Sequence, residues 1–184
     1  MKKVKKRMKK MFQKIFSNFE KIETLTKKTN DYVEFYIQTH RKIMRNTGFC
    51  RFVKNALGFK TNFQELKQVT ENNKSIILNI KQETMSFQKE NEKNLTQIQK
   101  SYLNCLIDYI NAINLTTDEL AKIAEFLYNL NINVKNIKHY DFDKIKNEYS
   151  DSVRNYRTQQ KLMFYMYGDL HADLLSKKPI SCED

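Results

Sequence analysis

Glycine, proline and tryptophan are nearly missing from this chain, with 3 Gly, 1 Pro and no Trp among 184 residues. Hairpins and tight loops draw on turn residues, so their scarcity argues against a sheet protein. Between Gly58 and Gly168 neither Gly nor Pro occurs. With 29% charged and 40% hydrophobic residues, that stretch reads as long helices joined by short polar connections. An all-α fold is expected. Isolated glycines also leave no Gly-rich phosphate loop.

Cysteine and histidine are equally sparse. Cys50, Cys105 and Cys182 form no CxxC pair, so neither a zinc site nor a disulfide framework is suggested. A reducing, cytoplasmic compartment fits this usage, with Cys105 as a buried structural thiol. His40, His139 and His171 sit in no HExxH or HxH arrangement, and no metal or other cofactor is expected. His40 falls on an apolar stripe and reads as a core or interface histidine. The pairs Asp141/Asp143 and Asp169/Asp173 read as a cap and an exposed face rather than as general acids and bases. No catalytic residues are assigned, and the chain is not expected to be an enzyme. No window reaches the apolar length of a bilayer span. The opening has no signal-peptide core, because Gln13 and Lys14 follow Met11-Phe12. A mitochondrial presequence is the alternative for Met1 to Asn18, although its cations are mostly Lys.

Charge is abundant and uneven. Residues 1–60 hold 17 Lys/Arg against 4 Asp/Glu, whereas residues 61–184 hold 16 against 17. The first third therefore calls for a polyanionic partner, either phospholipid headgroups or nucleic acid. Within it, Val4, Met8, Met11, Phe12, Ile15 and Phe16 recur at steps of three and four. Lys2, Lys3, Lys5, Lys6, Arg7, Lys9, Lys10 and Lys14 fill the remaining faces. This is a basic amphipathic helix of the kind that lies in a membrane interface. The apolar set is assigned to insertion and the cations to headgroups. The rival, RNA binding, wants aromatics interleaved with the cations, and here they share the apolar stripe.

The period continues through Phe19, Ile22, Leu25, Tyr32, Tyr36 and Ile43, predicting a helix over about 19–47. Thr61 with Gln64 is a capping-box pair that opens a second helix. Its stripe runs Leu66, Val69, Ile76, Ile80, Phe87, Leu95, Ile98, Tyr102 and onward to Ile113, across a very polar segment from Lys81 to Asn94. Thr116 with Glu119 looks like another capping box and predicts a break or kink. Leu120, Ile123, Leu127, Leu130, Val134 and Ile137 then form a coiled-coil seam. A last stripe runs from Ile145 to Leu174. Three helical stretches of roughly fifty residues make an antiparallel three-helix coiled-coil bundle. So thin a rod favours pairing of two copies over the face from Leu66 to Ile137. Residues 1–18, 19–176 and 177–184 are the expected basic helix, bundle and frayed tail.

This order of features resembles the N-BAR branch of the BAR domain superfamily. The opening Met8-Lys9-Lys10-Met11-Phe12-Gln13-Lys14-Ile15-Phe16 is similar to the family's basic first helix. Asn133-Val134-Lys135-Asn136-Ile137-Lys138-His139-Tyr140-Asp141-Phe142-Asp143 resembles its late second-helix pattern. Gly168-Asp169-Leu170-His171-Ala172-Asp173-Leu174 is similar to its Leu-rich end. The chain is shorter than such domains, around Glu148 to Val153 and at the end of the third helix. Its cations over 135–161 are thin: Lys135, Lys138, Lys144, Lys146, Arg154, Arg157 and Lys161 against four acids. The resemblance implies a crescent-shaped homodimer, or a heterodimer with a related chain, peripheral on curved anionic membrane and without catalysis. Lys135, Lys138, Lys144, Lys146, Arg154 and Arg157 join the headgroup-binding set. The alternative is a basic helical nucleic-acid-binding or ribonucleoprotein subunit.

Overall fold

The computed structural model describes residues 2–45, 62–131 and 139–177, and within them not the side chains of residues 2–9, 63, 131 and 139–141. The described residues form four helices and no strand: α1 (Lys2–Met44), α2 (Phe63–Asn91), α3 (Gln97–Asn131) and α4 (His139–Ser176). All-α is what the residues adopt. The stretch expected as one second helix is two, because the chain reverses over residues 92–96.

That reversal uses neither Gly nor Pro. The Gln99 backbone N–H donates to the Thr96 hydroxyl (3.2 Å), and the Thr96 N–H donates back to the Gln99 side-chain oxygen (3.1 Å). Thr96-Gln97-Ile98-Gln99 is thus a reciprocal capping box, which satisfies donors that a helix start leaves orphaned. The expected box at Thr61/Gln64 is shifted by one residue. Thr61 lies outside the described residues, and Asn62 caps α2 by accepting the Glu65 N–H at 3.0 Å.

Cross-helix contacts fix the directions. Lys74 meets Asp118 and Lys67 meets Glu125, so α2 and α3 are antiparallel. Thr116 reaches the Ser152 carbonyl and Phe126 packs on Phe142, so α3 and α4 are antiparallel. Phe19 lies on His171 and Tyr36 on Tyr149, setting α1 against α4. Lys21 meets Glu83 and Thr39 meets Asn73, setting α1 against α2. The result is an up-down-up-down four-helix bundle, with α1 and α3 parallel across the diagonal. It replaces the expected three-helix rod.

α3 touches all three other helices, while α2 and α4 do not touch each other among the described residues. Its sequence suits that place, since no cation lies between Lys100 and Lys122. Tyr102, Leu103, Leu106, Tyr109, Ile110, Ile113, Leu120 and Ile123 are all essentially inaccessible. Each such side chain contributes about 1.5–3 kcal/mol by burial. In α1 the buried residues recur every seven positions, as Ile15, Ile22, Thr29, Tyr36 and Ile43 and as Asn18, Leu25, Tyr32 and Thr39. That spacing keeps one face of a slightly supercoiled helix on its neighbours.

Three expectations need correction. No break occurs at Thr116–Glu119: both Thr116 and Thr117 are buried in mid-helix, and their hydroxyls donate to the Ala112 and Ile113 carbonyls. In α2, Ile76 is 43% exposed whereas Ile77 is fully buried. The buried face there runs Leu66, Thr70, Asn73, Ile77, Ile80 and Thr84, a stripe half made of polar residues. Val69 and Phe87 flank it, half-buried. Finally, of the two roles open to the seam, dimer or core, Leu120, Ile123 and Leu127 take the core: they are buried, and Leu130 half-buried, within this chain's own bundle. Val134 and Ile137 lie outside the described residues, as do Cys50 and Cys182. Cys105 is half-buried, and burial pushes its thiol pKa up.

Polar pairs tie the layers in register. The hydroxyls of Thr26 and Tyr102 meet at 2.8 Å, as do those of Tyr32 and Thr117. Burial pushes the Tyr32 phenol up to about 12. Near the far end, the Tyr36 and Tyr149 hydroxyls meet at 2.6 Å, and Tyr149 also bonds His40 Nδ1. Burial depresses the His40 pKa, with Arg157 and Arg41 adding to the effect. A base whose pKa is depressed on folding leaves the unfolded state holding more protons. The His40 contribution is therefore complete above the unfolded value of about 6.5 and lost as pH falls below it. Urea midpoints at pH 7.5 and 5.5 should show a drop on acidification that is smaller in His40→Gln. An equal drop in both proteins would contradict this role.

Candidate membrane interface

The basic segment and the bundle share one uninterrupted helix, α1, with no break at residues 18–19. Ile15 is its first buried residue among those whose side chains are described, at 9% exposure. The Gln99 side-chain amide donates to the Ile15 carbonyl at 3.0 Å, and the Asn18 amide donates to the Asn94 carbonyl at 3.2 Å. These bonds join α1 to the turn between α2 and α3, and so mark where the bundle ends. The helix runs on from there through residues 2–14, about 20 Å at the usual rise.

On this extension Lys10, Met11 and Lys14 are exposed and Phe12 is half-buried. Met11 is 61% exposed and Phe16 43%. The Phe12 and Phe16 rings stack at 6.4 Å between centroids, one turn apart. Among the described residues, Met11 on the extension and Phe16 at its root are therefore exposed beside Lys10 and Lys14. Lys2, Lys3, Val4, Lys5, Lys6, Arg7, Met8 and Lys9 belong to the same helix, with side chains outside the described set. Of the six residues assigned to insertion, Ile15 is a correction: its side chain is buried, at the level where Gln99 of α3 bonds its carbonyl.

The other assigned cations do not gather here. Lys144 and Lys146 are exposed on α4 towards the opposite end. Arg154 is exposed and paired with Asp151 at 3.3 Å, and Arg157 lines a groove between α4 and α1. Lys135 and Lys138 lie outside the described residues. Comparison with models of protein families, with curated proteins and with solved structures returns no match. Geometry alone therefore carries the reading.

Among the described residues no three His, Cys, Asp or Glu side chains are grouped to hold a metal ion. No described helix is long and apolar enough to cross a membrane. Sequence reasoning missed the anchoring pair Gln99 and Asn18. The T-x-x-Q spacing from Thr96 was the available signal for the first, and nothing local marks the second.

A comparison one turn apart tests the boundary. Ile15→Ala should lower the unfolding free energy by about 2 kcal/mol or more, as for a buried aliphatic. Met11→Ala should change it by less than about 0.5 kcal/mol. Equal effects in urea denaturation would place the bundle's end elsewhere.

Proposed function

We propose that this protein is a non-catalytic helical scaffold that binds anionic phospholipid surfaces through the N-terminal extension of α1. The observation that carries this is the pairing of exposed Met11 with exposed Lys10 and Lys14 on the extension, with exposed Phe16 at its root. The segment from Met1 to Phe16 holds eight cations and no acid. Each cation near an anionic leaflet contributes about 1 kcal/mol, and buried Met and Phe add to that. Solubility alone does not call for large apolar side chains among those cations.

The geometry adds a requirement. The seven-residue spacing that buries Ile15 and Asn18 also sets Met8 and Met11 in phase with them along the sequence. On a straight α1 that phase faces the side on which the other helices pack. An extension lying flat on a bilayer therefore needs α1 to bend where the bundle begins. Ser17-Asn18-Phe19-Glu20 spells the S-x-x-E signature of a helix start at that place. The bound form in this reading is a basic helix hinged to the bundle.

Pairing of two copies belongs to the same proposal, on a different surface from the one expected. The most exposed large apolar side chains described are Phe164, Tyr165 and Leu175, at 74%, 72% and 68%, all on α4. Curvature selectivity rests on the N-BAR-like order of features, while the bundle supports attachment.

Co-sedimentation with phosphatidylserine vesicles, beside an RNA gel shift at matched salt, tests the reading. The full chain should pellet with vesicles, and removal of residues 2–14 should abolish this while the helical signal of the bundle persists. Undiminished pelleting by the truncated chain, or RNA binding without vesicle binding, overturns it.

A further inference from the structure

A second anion-facing feature lies well away from the extension. Along α1, His40 is 25 residues beyond Ile15, about 37 Å on helical geometry. There α1 and α4 leave a groove of about 460 Å³ lined by Tyr36, His40, Arg41, Tyr149, Ser150 and Arg157, among others. Among the described residues no carboxylate lines it. Arg41 and Arg157, both exposed, thus flank one concavity together with His40.

The groove floor is built rather than incidental. Tyr36 and Tyr149 are buried, and their hydroxyls and His40 Nδ1 form one hydrogen-bonded chain. When Tyr36 donates to Tyr149 and Tyr149 donates to Nδ1, the neutral imidazole carries its proton on Nε2, which is then the ring's one donor. The His40 and Tyr149 rings stack at 5.6 Å, which holds the imidazole in place. The Ser150 hydroxyl donates to the Lys146 carbonyl and keeps its lone pairs. Arg41 and Arg157 both act electrostatically on His40. The charged or titratable groups around the imidazole are Tyr36 and Arg41 from α1 and Tyr149, Tyr156 and Arg157 from α4. No residue of α2 or α3 lines the groove.

We infer that this groove is a binding site for a phosphate monoester, with Arg41 and Arg157 as the charge clamp and His40 as an additional donor. Guanidinium forks match phosphate oxygens in geometry and charge, and a rigid ring donor beside them favours a compact dianion over a diffuse polyanion. A monoester can come from a lipid headgroup or from a soluble phosphorylated molecule, and both present the same group. The site stands independently of the extension, because it is discrete and needs no membrane.

The test is an NMR pH titration of the His40 imidazole in the full chain, with inorganic phosphate, with glycerol phosphate, or with chloride at equal ionic strength. A bound dianion offsets the two guanidinium charges, so either phosphate should raise the His40 pKa by about one unit relative to chloride. Arg41→Gln and Arg157→Gln should each weaken phosphate binding at least about fivefold. Arg41→Lys should recover part of the effect, which separates lost charge from a disturbed fold. Vesicle binding then identifies the source. Preference for vesicles carrying a phosphatidylinositol monophosphate over phosphatidylserine vesicles of equal charge, lost in Arg157→Gln, assigns the headgroup. A soluble-phosphate response without that preference assigns a soluble monoester. A His40 titration unchanged by phosphate, or shifted equally in the Arg→Gln variants, overturns the inference. Because soluble probes need no vesicle, loss of vesicle binding on removing residues 2–14 leaves this result intact.

Discussion

The chain reverses between Asn91 and Gln97, and that reversal decides which face of each helix meets which neighbour. Two hydrogen bonds between Thr96 and Gln99 start α3, and the Gln99 side-chain NH2 donates to the Ile15 carbonyl of α1. One side chain thus caps a helix and pins the turn to the bundle's longest member. Removing such a cap costs about 1 kcal/mol in general, but here it also sets the point at which α1 leaves its partners. The position of the solvent-exposed Met11 and Phe16 follows from that point.

Polar pairing inside the bundle does related work. A core of α1, α3 and α4 built only from aliphatic side chains could slide by a heptad at little cost. Thr26 with Tyr102, Tyr32 with Thr117 and Tyr36 with Tyr149 each join residues far apart in sequence. A slip would bury those hydroxyls unpaired, at about 1–3 kcal/mol each. The same chain of hydroxyls that fixes register at the far end also holds His40 beside Arg41 and Arg157. A structural device and a candidate recognition surface are one set of atoms there.

Much of this was readable in the residues. Sparse Gly and Pro announced helices, and the apolar period found Leu120, Ile123 and Leu127 in the core and His40 as a satisfied histidine. The reading failed where buried positions are polar. Thr70, Asn73 and Thr84 share the buried face of α2 with Ile77, so a search for apolar residues alone drifted to Val69 and Ile76. Thr116 and Glu119 imitate a cap because a Thr hydroxyl satisfies either a helix start or, as here, the carbonyl four residues back. The reversal at 92–96 hid because capping chemistry replaced glycine. The groove was invisible because Tyr149 and Arg157 are more than a hundred residues from His40, and no local spacing brings them together.

Whether the second stretch folds back is the claim on which the rest stands, and one distance decides it. Lys74 and Asp118 form a 2.8 Å ion pair between α2 and α3. On an unbroken helix the same two positions would stand about 66 Å apart. Nitroxide labels at Lys74→Cys and Asp118→Cys, in a chain otherwise free of cysteine, can be measured by pulsed electron spin resonance. The four-helix bundle predicts a narrow distribution of about 20 Å or less once the label arms are included. A dominant separation above about 50 Å would contradict the reversal, and with it the placement of the α1 extension.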